Sequence, residues 1–271
     1  MTLLNKIIAD KREEVARSRV QVPLELLQDS IATTPWVPRG FYRNMMAPGP
    51  GGVNIIAEVK RASPSKGQIC ADLKASACAR QYESGGAAAI SVLTDGPYFN
   101  GSLEDLRQVR DATTLPVLRK EFIISRYQVF ESRAAGADAI LLIARILEPN
   151  HLSALLALTH ELGMDALVEI HSAADYAAAH EAGAKLIGIN NRNLATFDTD
   201  IRTAMNLAAL IQPGQVPVAA SGISSRADIE DNLNGGIYNF LIGESLVRAN
   251  NRVAMLNQLI YGNNGRSAFK V

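Results

Sequence analysis

Residues with acid, base or hydrogen-bonding side chains recur at one kind of place in this chain, the end of a short apolar run or the position just after it. Glu58 and Lys60 close the run at 53–60, Lys120 lies in 116–121, Glu169 in 165–170, Asn190 ends the run that follows Gly183, and Ser221 ends 216–221. Arg192 and Gly222 follow directly on two of these. Two carboxylates among two or three cations can hold a small anionic substrate and move protons within it. For any one of these residues alone, a salt bridge that merely closes the protein surface is an equal reading. Buried charge is costly unless paired or used, so the whole set points to a site.

Such a set needs a frame that brings distant segments together. A glycine followed by a short apolar run occurs at Gly86, Gly136, Gly183 and Gly236, at intervals of 50, 47 and 53 residues. A strand, a helix and two loops take about 25 residues, so each interval holds two such units. The runs at 53–60, 116–121, 165–170 and 216–221 fill the gaps and bring the strand count to eight. Helical patterns lie between them, as at 125–135 and 201–211, with Pro149 suited to a first turn. Near-continuous apolar strands alternating with helices predict a parallel sheet covered by helices, and eight units predict a (β/α)8 TIM barrel with one core. Barrel enzymes gather their catalytic groups at the C-terminal ends of the strands, where the polar residues above fall.

Residues 1–52 stand outside the repeat. Leu3, Leu4, Ile7, Ile8 and Val15 recur at helical spacing, while Asp10, Lys11, Arg12, Glu13 and Glu14 fall mostly on the other face, which predicts an amphipathic helix with solvated charges. Pro48 to Gly52 reads as a linker. The expected organisation is one barrel domain over 1–271, with an N-terminal helical extension and linker at 1–52 and the barrel at 53–262. The extension is expected to help cover the active-site mouth, with a purely stabilising role as the alternative.

Composition narrows the partners. The 271 residues are 48% hydrophobic, and 27 Lys and Arg balance 27 Asp and Glu. That leaves no basic excess for a nucleic acid, so an anionic partner must be a small molecule met by a local cluster. Cys70 and Cys78 cannot form a disulfide framework or a four-thiolate zinc site, and read as free thiols in a reducing cytosol. His151, His160, His171 and His180 share no ligand spacing, so no metal is expected. No Gly-x-Gly-x-x-Gly follows a strand and no Walker-type loop appears, so no cofactor is expected. The N-terminus lacks the apolar segment of a signal peptide, and the apolar run at 139–144 is far short of the ~20 residues that cross a bilayer. A cytoplasmic, membrane-free protein is expected. Nothing in the sequence sets its oligomeric state, for which a monomer is the default.

The turns at 220–224 and 241–245, Ala-Ser-Gly-Ile-Ser and Leu-Ile-Gly-Glu-Ser, follow the seventh and eighth strands. In this fold those two loops often cradle a phosphate, because small residues let backbone N–H groups point at its oxygens. A substrate with a phosphate monoester is expected.

The segment 56–67, IAEVKRASPSKG, resembles the signature of indole-3-glycerol-phosphate synthases. The likeness continues through SVLT at 91–94, YFNGS at 98–102, LRKEFI at 118–123, LVE at 167–169, GINNRNL at 188–194 and FLIGESL at 240–246. It runs from the N-terminal helix to about Arg248. The resemblance implies a cofactor-free ring closure of 1-(2-carboxyphenylamino)-1-deoxyribulose 5-phosphate to indole-3-glycerol phosphate, with loss of CO2 and water. By the same likeness Lys120 is the general acid at the ketone, Glu169 transfers a proton in the dehydration stage, and Lys60 holds substrate anions and delivers a proton. Glu58 and Asn190 orient the lysine and the substrate hydroxyls, and Ser221 completes the catalytic set. Arg192 meets the carboxylate end, where its planar fork suits a carboxylate. Gly222, Gly243 and Glu244 offer backbone N–H groups to the phosphate, with the Glu244 carboxylate turned away. Phe99, Phe122, Leu141, Leu194 and Leu241 form the apolar wall, and Ser63 and Pro64 of the signature segment complete the substrate site.

One departure bears on rate. The family's usual Val-Ala-Glu-Ser-Gly reads Val218-Ala219-Ala220-Ser221-Gly222 here. A methyl group can neither accept a proton nor hydrogen-bond a hydroxyl, and losing one preorganised polar group commonly costs ~2.7–4 kcal/mol in the transition state. A slow synthase, a homologue with an altered substrate and an introduced substitution all accommodate it. Glu121, where aspartate is usual, keeps its charge and is expected to be tolerated. The competing readings are a weak or silent phosphate-binding homologue, motivated by Ala220, and an isomerase of a related sugar phosphate, which the lysine signature at 58–67 opposes.

Overall fold

The computed structural model describes residues 2–34, 36–192 and 199–262. Eight parallel strands close into a barrel: β1 (Asn54–Val59), β2 (Ala89–Leu93), β3 (Val117–Lys120), β4 (Ala139–Ile143), β5 (Asp165–Ile170), β6 (Leu186–Asn190), β7 (Val216–Ala220) and β8 (Asn239–Ile242). Each pairs with its neighbours in sequence, and β8 returns to β1 with Asn54 opposite Asn239 and Ile56 opposite Leu241. The strands are buried on both faces because helices cover the outside, which is why they read as continuous apolar runs.

Alternation along each strand sorts the side chains into two cores. Ile55, Ala57, Ile90, Val92, Ile140 and Leu142 pack outward against the helices. Ile56, Leu118, Leu141, Leu167, Leu186, Val218 and Leu241 fill the lumen. Side chains two apart share a face, so the lumen parity that starts with Ile56 carries on to Glu58 and Lys60. Leu118 leads likewise to Lys120, Leu167 to Glu169 and Val218 to Ala220. Chemistry at the top of the barrel is thus the continuation of packing at its centre.

The N-terminal extension treats the two mouths differently. α1 (Leu3–Gln21), capped by the Thr2 side chain, crosses the C-terminal mouth. α2 (Leu24–Thr33) packs on the helix Arg126–Ala134. α3 (Phe41–Met45) drives Phe41 and Met45, both fully buried, into the opposite end of the lumen. The extension therefore covers one mouth, as expected, and also plugs the other.

Lys11 corrects the prediction of a solvated charged face. It is only 2% exposed, and its Nζ lies 2.8 Å from Glu14, 2.9 Å from Asp95 and 3.0 Å from Glu121. Ile7, Lys11 and Val15 are spaced four apart, so they share the buried stripe of α1. Burial disfavours the ammonium, but the Glu121 and Asp95 carboxylates outweigh it and hold the proton on Lys11 more tightly than usual. Glu121, expected to be a tolerated variant, is the partner that ties α1 to the top of β3.

Candidate active site

A cavity of about 490 Å³ opens at the C-terminal ends of the strands. Glu58, Lys60, Lys120, Glu169, Asn190 and Ser221 line it, together with Ser63, Pro64 and Arg192. Phe99, Phe122, Leu141 and Leu241 supply apolar wall, and Gly222, Gly243 and Glu244 lie on the side of the last two loops. Leu194 falls outside the described residues. The cavity also takes in groups of which no site role was expected: Leu3, Leu4 and Ile7 from α1, and the cations Lys66, within the signature segment, and Arg248.

Two ion pairs organise the charges. Lys60 Nζ lies 2.6 Å from Glu58 Oε1, and Lys120 Nζ lies 3.6 Å from Glu169 Oε2. Asn190 Nδ2 donates to Glu169 Oε1 at 3.2 Å, and Asn190 Oδ1 accepts the Arg192 N–H at 3.0 Å. Burial pushes the Glu169 carboxyl up, but the Lys120 ammonium, the His171 ring and the Asn190 amide outweigh it, so the group sits below its ordinary range. It is a carboxylate at neutral pH, able to accept a proton. Arg192 reaches across the mouth and donates to Ser65 Oγ at 3.0 Å.

Glu58 is packed more tightly than its ion pair alone requires. A Cβ on Gly243 would overlap its carboxylate, so the glycine is what admits the acid at this point. The second oxygen of Glu58 finds no hydrogen-bond partner among the described residues, and neither do Ser63 Oγ and Ser245 Oγ on the same wall. Orphaned buried polar atoms are rare in folded proteins. Three of them lie on residues that line this one cavity, each sealed from the open space by its neighbours.

The loop after β7 is strained. Ser221 and Gly222 both adopt left-handed conformations, at φ 68° and 79°, and the serine has no glycine's freedom to do so. Asp228 accepts the Ser224 and Ser225 N–H groups, and Ser225 Oγ accepts from Asp228, which pins the loop to its helix. After β8, Gly243 leads directly into the helix Glu244–Arg248, whose first-turn N–H groups have no intrahelical acceptor. The Glu244 carboxylate accepts from Arg248 Nε at 3.1 Å along that helix.

The Phe99 and Phe122 rings stand 6.2 Å apart at 43°, forming a tilted apolar corner. Ala220 sits on the opposite side, level with Asn190 and Leu241 in the sheet register, and presents a methyl group to the cavity. Lys60, Lys66, Lys120, Arg192 and Arg248 face Glu58, Glu121, Glu169 and Glu244 around the lining, a local excess of positive charge in a neutral chain. The site can therefore hold a small anion with an aromatic part, protonate it from an ammonium and remove a proton with a carboxylate.

The family model for indole-3-glycerol phosphate synthase matches residues 4–259. The indole-3-glycerol phosphate synthase of Desulfosudis oleivorans is 58% identical over 259 residues, 95% of this chain and 98% of its own. That of Syntrophobacter fumaroxidans is 51% identical over 256 residues, 94% of this chain and 96% of its own. Among solved structures, 3-hexulose-6-phosphate synthase from Salmonella typhimurium superposes with a TM-score of 0.62 at 12% identity, covering 76% of this chain and 96% of that one, and supports the fold alone. With the family model spanning nearly its whole length and relatives this similar, the chain belongs to the indole-3-glycerol phosphate synthase family.

Proposed function

We propose that this chain converts 1-(2-carboxyphenylamino)-1-deoxyribulose 5-phosphate into indole-3-glycerol phosphate, CO2 and water, without a cofactor. The observation that carries the reading is the convergence of Lys60, Lys120, Glu169 and Asn190 on one cavity in a chain of this family. The substrate phosphate lies at the Gly222 and Gly243–Glu244 turns, the aromatic ring against Phe99, Phe122, Leu141 and Leu241, and the carboxylate within reach of Arg192. Leu194 belongs to the same proposed wall.

Attack of the aromatic carbon on the ketone forms the new C–C bond and puts negative charge on the ketone oxygen, which Lys120 neutralises by giving up a proton. Loss of CO2 returns the bonding electrons to the ring. Lys60, oriented by Glu58, then protonates the hydroxyl so that it leaves as water, and Glu169 takes the proton whose loss completes the indole. Asn190 holds Glu169 in place for that transfer. Free Cys70 and Cys78 support a reducing, cytoplasmic setting, and a monomer is the proposed state.

Steady-state assay with this substrate, following indole fluorescence, tests the reading. Turnover well above a Lys120→Ala control is expected. Turnover no faster than that control overturns it.

A further inference from the structure

Glu169 has a neighbour that the mechanism leaves unused. His171 follows it by two residues, just past the end of β5, and its side chain is 3% exposed. It is not among the residues that line the cavity. Its Nε2 is 3.4 Å from Glu169 Oε1, and its Nδ1 is 3.9 Å from Asp175 Oδ2. Neither ring nitrogen makes a formal hydrogen bond to a described residue. An imidazole sealed from water with both nitrogens idle is an expensive thing to keep.

The surroundings decide which carboxylate is the partner. Asp175 Oδ2 already accepts the His171 backbone N–H at 2.8 Å and the Arg145 guanidinium at 3.1 and 3.3 Å. Among the described residues Glu169 Oε1 accepts only the Asn190 amide, at 3.2 Å, and it is the nearer oxygen to the ring. The charged groups around the imidazole are Glu169 on β5, Lys120 from β3, Arg145 from the turn after β4 and Asp175 from the helix Ala173–Glu181. Burial pushes the ring below its ordinary 6.5 and outweighs the pull of the two carboxylates, so it is neutral near pH 7. A neutral imidazole has one N–H to give, and Glu169 is the acceptor with capacity for it.

We propose that His171 is a positioning residue for the candidate base: from 3.4 Å away its Nε2–H turns to Glu169 Oε1 during turnover and, with Asn190, holds that carboxylate aimed and ionised for proton transfer. The inference rests on the reading of Glu169 as the group that takes a proton during turnover. It has a consequence in pH. As pH falls, the ring and Glu169 titrate as a coupled pair, so the acid limb of the rate profile belongs to both groups.

His171→Leu removes the donor and fills its space with an apolar side chain, while His171→Gln places an amide donor near the Nε2 position without a titrating ring. Expected for His171→Leu is a kcat lower by roughly 10- to 100-fold, the loss typical of a misaimed catalytic group. KM should stay within about twofold, and the acid limb should move up by about one pH unit as Glu169 loses a stabilising donor. His171→Gln should recover most of kcat. A leucine variant with the parent's kcat and acid limb, or one impaired in KM alone, overturns the proposal. Imidazole NMR of the intact protein gives a second reading that needs neither turnover nor a folded leucine variant. Glu169→Gln should shift the His171 titration to lower pH, because a carboxylate that favours the cation has gone, and an unmoved titration overturns the pairing. An inactive parent whose ring still responds to Glu169→Gln would count against the proposed function and leave the pairing standing.

Discussion

The two mouths of the barrel use buried polar groups in opposite ways. At the N-terminal mouth, Asp138 accepts from Arg110 Nη1 at 2.7 Å and from the Arg39 and Val117 N–H groups at 2.8 Å, so both of its oxygens are occupied. Arg39 donates to the Thr113, Leu115 and Arg110 carbonyls, and Phe41 and Met45 fill the lumen beside this network. At the C-terminal mouth the same strands end in an open cavity, an unpartnered oxygen on Glu58 and a left-handed Ser221. The first network is closed at Asp138, with Arg110 Nε alone left unpartnered among the described residues, and it stabilises; the second opens on a cavity and can bind and react. The strand beginnings therefore account for folding and the strand ends for chemistry.

Mutations should separate the two. Lys120→Ala is expected to lower kcat by roughly 10²–10⁴, the range for a positioned acid, with a smaller loss of stability than at the other mouth because Glu169 keeps its Asn190 partner and can take up a proton. Asp138→Ala should do the reverse. Stranding the Arg110 charge in the interior should cost about 3–5 kcal/mol in urea unfolding, with kcat of the folded protein unchanged. A loss of kcat without loss of stability in Asp138→Ala would break the division.

Ala220→Glu sharpens it by adding a carboxylate to the reactive mouth. A gain in kcat of roughly 10²–10³ is expected if the remaining groups are correctly placed. No gain would mean that the methyl belongs to a site rearranged around it.

The smallest effect expected is in acid stability. Burial raises the Glu121 carboxyl, but Lys11 and Arg119 outweigh it and leave it below its ordinary 4.5. A depressed folded value means that Glu121 contributes stability above about pH 4.5 and loses it as pH falls through the lower folded value. Unfolding midpoints measured below pH 4.5 should therefore fall less steeply in Glu121→Gln than in the parent.

Much of this was legible before any coordinates. The eight strands show as apolar runs because both faces are covered, and the glycines punctuate them. The polar residues at their ends stand out because charge is rare on a lumen-facing parity. Lys11 sits in a run of charged residues that suggests a solvated face, yet it shares one helical stripe with Ile7 and Val15. α3 is five residues long, too short to show a period, so the Phe41 and Met45 plug left no pattern. His171 shares no ligand spacing with the other histidines, so no role for it shows in the sequence. Its place two residues after Glu169 puts the two on one face, but the 3.4 Å approach past the end of the strand depends on side-chain placement.

The central claim is that the C-terminal mouth performs a decarboxylating ring closure. Its most direct test is to measure CO2 released and indole formed per substrate consumed, in the parent and in Lys120→Ala. The account predicts equal amounts of both products from the parent and a far slower release of both from the variant. Substrate consumed without CO2, or the same slow rate in both proteins, would contradict it.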